Sequence, residues 1–216
     1  MTENNKNQIS KTAIIYKNVK LGKNITIQDF VIIGVPPKGA KDGDYETIIG
    51  DNAYIRSHTV IYAGTKIGIN FQSGHHVLIR EFNNIGNDVS IGTNTTIEFK
   101  IEIGNNVRIH SQAFIPEYCK IEDGCWIGPR VVLTNSKFPY SKRSKEFISG
   151  VIIKTGAKIG ANSTILPGIT IGENSLVGAG AVVSKDVPKN VVVVGNPARI
   201  LKKIEDLRYK DMNIPY

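Results

Sequence analysis

No stretch of this 216-residue sequence approaches the run of roughly 18 apolar residues that crosses a bilayer as a helix. The opening segment MTENNKNQISK has no apolar core of the kind a secretory signal carries, so a cytoplasmic location with no membrane partner is expected. There are only two cysteines, Cys119 and Cys125, too few for a disulfide-stapled scaffold. They read as small core residues rather than as a disulfide or a metal pair. Histidine is equally scarce: His58, His75, His76 and His110, with none beyond. The net charge of +8 gathers in two short clusters, Lys137/Lys142/Arg143/Lys145 and Arg199/Lys202/Lys203. Clusters this short suit an anionic small molecule better than a polynucleotide, so no nucleic-acid partner is expected.

What the sequence has in abundance is a repeat. From Ile49 in steps of six, fourteen of the fifteen positions through Leu133 are Ile or Leu, with Ser73 the exception. Two residues before each sits a smaller set, including Ala53, Thr59, Val77, Val107, Cys119 and Cys125. Glycine follows many of the isoleucines, as at Gly50, Gly68, Gly86, Gly92, Gly104 and Gly128, where it is expected to permit the turn to the next face. Residues two apart share one side of a strand, so each six-residue unit reads as a short strand with one small and one large inward side chain. A helix would need a period near 3.6. The expected fold is all-β: a solenoid of short strands, none able to bury its face alone.

The period fails twice. The phase is lost between Ile33 and Ile49, and again between Leu133 and Ile153, which predicts inserted loops at 35–47 and 134–150. Long loops on a rigid scaffold tend to carry function. The repeat resumes through Val183. From Pro197, apolar Ile200, Ile204 and Leu207 stand at helical spacing and predict a short capping helix. The resulting division is a flexible N-terminus (1–12), the solenoid (13–196) and a C-terminal helix and tail (197–216).

The unit [Ile/Val/Leu]-Gly-x-x-small-x resembles the hexapeptide-repeat acyltransferases. That resemblance implies a left-handed parallel β-helix, about 18 residues per coil, assembled as a homotrimer. The segment 160–201, from GANSTILPG to NPARIL, is similar to the acetyl-CoA-binding end of that family. It implies acetyl-CoA as cosubstrate, contacts from Gly160, Ala161, Gly178, Ala179 and Pro197, and phosphate contacts from Lys185, Arg199 and Lys202. The segments IRSHTVIYAG, GHHVLIRE, RIHSQAFIPEY and WIGPRVVLTN resemble the N-acetyltransferases of nucleotide-linked amino sugars, nearest to those acting on dTDP-3-amino-3,6-dideoxyhexoses. In that group a Glu and an Asn one coil apart line the site. Glu117 and Asn135 are 135 − 117 = 18 residues apart, which stacks them roughly 4.8 Å apart on one edge. Relatives often follow this Asn with Asp, whereas Ser136 follows here, which leaves the sugar open.

The implied chemistry is attack of an amine on the thioester. Asn135 offers an amide to the oxyanion and Glu117 orients the amine. The departing thiolate takes the proton in the nearest relatives; a His does so in many other members, and His110 is the candidate here. Arg56, His75, Arg80, Glu81 and Tyr118 are candidate acceptor contacts, Arg56 and Arg80 for a diphosphate. His58 and His76, 18 apart, are expected to stack, and no metal is expected. Alternatives are an O-acetyltransferase with a committed base and a γ-type carbonic anhydrase, which needs three zinc-binding histidines. A non-enzymatic ice-binding solenoid would need a Thr array that is absent.

Overall fold

The computed structural model describes residues 6–209, 212, 213 and 215. Very short strands stack in parallel, each pairing with the strand one coil away: Gln72 with Ser90, Ser90 with Arg108, Arg108 with Trp126. Three faces result. Among the described residues the first has 11 strands, from Gln8–Ile9 to Arg199–Lys203. The second has nine, from Ile14–Ile15 to Val182–Val183, and the third has eight, from Val19–Leu21 to Thr170–Ile171. The coil is 18 residues and lengthens where a loop intervenes, as from Ile127 to its partner Ile159. This architecture is consistent with the left-handed β-helix that the resemblance implied. No helix among the described residues is long and apolar enough to cross a membrane.

The inward ladder matches the sequence pattern. Every position from Ile49 to Leu133 in steps of six, Ser73 included, is at most 5 % exposed. Cys119 and Cys125 are buried free thiols in the same core. Burial pushes them up to about 12 and about 11 respectively, which makes both poor nucleophiles.

The glycines after the isoleucines do a different job from the one expected. The left-handed turn residues stand two positions further on, as Asn52, Asn70, Asn94 and Asn106 with φ of 55–60°. Gly50, Gly68, Gly86, Gly92, Gly104 and Gly128 do not adopt positive φ. They are required by the next coil: a Cβ on Gly50 would lie 2.6 Å from the Gly68 carbonyl carbon, and one on Gly92 2.4 Å from the Ser111 nitrogen.

Two terminal expectations are corrected. Residues 1–5 of the N-terminal segment lie outside the described residues, but Gln8–Ile9 is already a strand paired with Thr26–Ile27, so the solenoid begins before residue 13. The C-terminal segment is not a helix. Arg199–Lys203 folds back as an antiparallel strand on Val191–Val194, followed by a single 3-10 turn at Ile204–Asp206. The open edge of the first face leaves backbone N–H and C=O groups unpaired, and strand addition satisfies them where a helix would not. Residues 210, 211, 214 and 216 of the expected C-terminal helix and tail lie outside the described residues.

Charge divides the outer surface by face. Outward residues of the third face include Lys66, Asn84, Glu102 and Lys120. The second face instead carries a largely apolar stripe, Ile14, Ile32, Val60, Leu78, Phe114, Val132 and Val182, interrupted by Thr96 and Thr164. Ile14, Phe114 and Val132 on it are exposed.

Candidate active site

Two edges border the apolar second face, and the expected site residues divide between them. On the first edge, which joins the first and second faces, each coil contributes the residue after a first-face strand. In order these are Arg56, Gly74, Gly92, His110, Gly128, Gly160 and Gly178. Beside them run Ser57, His75, Thr93, Ser111, Pro129, Ala161 and Ala179. His110 therefore interrupts a track of glycines, and Gly160-Ala161 and Gly178-Ala179 continue that track toward the C-terminal end.

His110 is held on two sides. Its ring lies 4.7 Å from that of Trp126, one coil on. The Arg108 Nε–H donates to His110 Nε2 at 3.1 Å. Burial and then the Arg108 charge hold the imidazole below its ordinary range, so it is neutral at pH 7. His75 Nδ1 lies 2.8 Å from Ser57 Oγ. His58 and His76 stack as expected, with ring centroids 4.5 Å apart, and Phe30 lies against His58.

The second edge, between the second and third faces, carries Glu81, Phe99, Glu117, Asn135, Pro167 and Lys185 in successive coils. Asn135 Nδ2 donates to Glu117 Oε2 at 2.6 Å, and both residues are half-buried. Tyr118 is exposed, with its ring edge-on to Phe99. The 134–150 loop leaves this edge directly after Asn135 and closes back through a Ser136–Ile148 bridge. It exposes Phe138, Tyr140 and Phe147 beside Lys137 and Arg143.

Arg80 and Glu81, expected to contact acceptor, bind each other. Arg80 makes a two-pronged pair with Glu81 at 2.8 and 3.0 Å and a third bond to Glu98 at 2.9 Å. Two carboxylates thus neutralise one guanidinium, and Arg80 is not free for a diphosphate. It also stands on the opposite edge from Arg56. At the C-terminal end, Lys185 and Arg199 line one cleft of about 430 Å³ with Pro188 and Ile200. Lys202 is exposed opposite Val192, and Pro197 lies in the turn before the final strand.

Within one chain, His110 and Glu117 share a coil but not an edge. The seven-residue step between them crosses the second face and turns through the left-handed Gln112, so the extended rise of roughly 23 Å is an upper bound on their separation. Sequence reasoning missed Arg108 and the glycines at 74, 92 and 128. The signal that finds the glycines is the 18-residue step applied to His110 itself.

Residues 150–185 match the bacterial transferase hexapeptide (six repeats) family. The galactoside O-acetyltransferase of Lactococcus lactis is 39 % identical over 87 residues, 38 % of this chain and 42 % of that enzyme, so the chain matches less than half the length of this curated relative. A hexapeptide-repeat acetyltransferase from Vibrio cholerae, solved with acetyl-CoA, is 30 % identical with a TM-score of 0.51; the match covers 56 % of this chain and 70 % of that one. A UDP-N-acetylglucosamine acyltransferase from Campylobacter jejuni is similar in fold at 21 % identity, with a TM-score of 0.61 over 94 % of this chain and 79 % of that one.

Proposed function

The chain belongs to the hexapeptide-repeat acyltransferase family, and on that premise we propose that it transfers acetyl from acetyl-CoA to the amine of a nucleotide-linked amino sugar. The observation that carries the reading is the glycine-floored first edge with His110 set into it. A floor without side chains lets an extended pantetheine arm lie against backbone, and at Gly128, Gly160 and Gly178 it leads from the C-terminal end to an imidazole. Lys185 and Arg199 at that end suit the coenzyme phosphates.

The active unit is a homotrimer. The apolar second face is the surface that three copies would bury around a common axis. A cyclic arrangement through that face sets the first edge of one subunit beside the second edge of the next. His110 then meets the neighbour's Glu117–Asn135 pair at the same coil height, closing the gap that one chain leaves open.

In this arrangement the acceptor amine attacks the thioester carbonyl. The Asn135 amide donates to the oxyanion, Glu117 accepts from the amine, and collapse releases CoA thiolate. The amine proton passes to neutral His110 or to the thiolate. A carboxylate beside the acceptor suits an amine: it accepts from the arriving ammonium, which gives one proton to solvent before the neutral amine attacks and passes its second proton to His110 or the thiolate. The second reading is transfer to a sugar hydroxyl, favoured by the similarity to galactoside O-acetyltransferases. The test is thiol release from acetyl-CoA with a panel of dTDP- and UDP-amino sugars beside galactosides and maltose. Release with amines supports the first reading, release with hydroxyl acceptors alone supports the second, and no release with any acceptor refutes both.

A further inference from the structure

The first edge continues past His110 on the side away from the pantetheine track. There a cleft of about 300 Å³ opens between Arg56 and Arg108, with His75, Thr93 and Ser111 along it and His110 at one end. No Asp or Glu lines it. Among the described residues neither arginine forms an ion pair. Arg56 Nη1 donates to the Ser73 carbonyl at 2.6 Å, and its guanidinium packs 4.8 Å from the Tyr54 ring centre. Arg108 donates only to a neutral imidazole. Arg80, by contrast, is held by two carboxylates. Two uncompensated guanidiniums facing one cleft, with hydroxyl donors between them, are matched by an anion.

We propose that this cleft binds the phosphate or diphosphate of the acceptor, with Arg56 and Arg108 as its charged walls. The proposal rests on the acetyl-transfer reading and names the residues that hold the acceptor's phosphates. Arg56 stands three coils from His110, roughly 14 Å along the edge. That length accommodates a sugar held at His110 with its diphosphate directed away from the coenzyme. The coenzyme phosphates go to the C-terminal end of the solenoid, at the cleft lined by Lys185 and Arg199, so the two anionic groups enter from opposite directions. Arg108 also links binding to chemistry. A guanidinium that turns its N–H from His110 Nε2 to a phosphate oxygen leaves that lone pair free to accept the acceptor's proton.

The experiment is calorimetric titration of the full-length protein with pyrophosphate, UDP, dTDP and, separately, CoA, repeated on Arg56→Gln and Arg108→Gln. Pyrophosphate or a nucleoside diphosphate binds the wild type, and each substitution weakens it by about 10-fold or more, as for loss of one charged hydrogen bond. CoA affinity stays unchanged in both variants. Three outcomes overturn the proposal: no binding of any of the three phosphates to wild type, equal binding by all three proteins, or weakening of CoA instead, which assigns the cleft to the coenzyme. None of these readouts needs turnover. Anion binding lost in the variants without thiol release from any acceptor refutes the acetyl-transfer reading and leaves the cleft standing. Turnover of neutral sugars without anion binding does the reverse.

Discussion

Replacing Gly92 by Ala tests the claim that the edge glycines serve coil contact rather than turn conformation. The added Cβ would sit 2.4 Å from Ser111 N, 2.6 Å from the His110 carbonyl carbon and 2.8 Å from Ser111 Cα. All three are backbone atoms, so no side chain can swing away, and the coils must part locally by about 1 Å to restore ordinary contact. The Gly92 N–H to Ile109 carbonyl bond, now 2.7 Å, is stretched. Its weakening costs about 1 kcal/mol and the forced shift about 1–3 kcal/mol, for a total of about 2–4 kcal/mol. For a chain of this size that lowers Tm by about 5–15 °C. The same shift displaces His110 by about 1 Å, which lowers the rate by about 100-fold. The control is Gly180→Asn. Gly180 has φ +72° with nothing within 4 Å of its Cβ position, and Asn162 fills the equivalent place one coil earlier at φ 57°. That change stays within about 0.5 kcal/mol of wild type. Thermal unfolding at one protein concentration and initial rates of thiol release decide the matter. Wild-type stability in Gly92→Ala, or equal loss in Gly180→Asn, refutes the reasoning.

Glu117→Ala and Asn135→Ala each lower kcat/KM by about 10-fold or more. Because the two side chains are hydrogen-bonded, the double variant loses less than the product of the single losses; a strictly multiplicative loss in a double-mutant cycle shows that they act separately. Activity that depends on neutral His110 persists below pH 6.5 and falls only as pH drops through its lowered pKa; removing the Arg108 charge by Arg108→Gln raises that pKa and moves the acid limb of kcat/KM to higher pH. An unmoved limb assigns the titration to another group. Cys119 and Cys125 resist alkylation at pH 8 in the folded protein and react after denaturation; stoichiometric labelling of the native protein contradicts their burial.

Much of the fold was legible in one dimension because an inward position in a solenoid recurs at a fixed step. The Ile49–Leu133 ladder and the existence of both loops follow from phase alone, although the first loop is 36–46 rather than 35–47, because Val35 and Thr47 pair as strand residues; the Glu117–Asn135 contact followed from phase together with a family pattern. The C-terminal segment misled for a related reason. Ile200, Ile204 and Leu207 fit a helical period, but the deciding factor was the unpaired edge at Val191–Val194, which no local pattern reveals. The glycine role was misread because the atoms that forbid a side chain at Gly92 belong to residues 110 and 111, a full coil away.

By itself the sequence determined the six-residue period, the inward residues and where the period is interrupted, since these depend only on spacing; the 18-residue coil, and with it which residues stack on a shared edge, came with the family resemblance. Tertiary structure decided the chemistry of those edges. Arg80 was a candidate on equal terms with Arg56 until stacking placed Glu81 and Glu98 around it and left Arg56 and Arg108 without a carboxylate. Spacing is a property of the backbone path, whereas charge pairing depends on where side chains from separate coils converge.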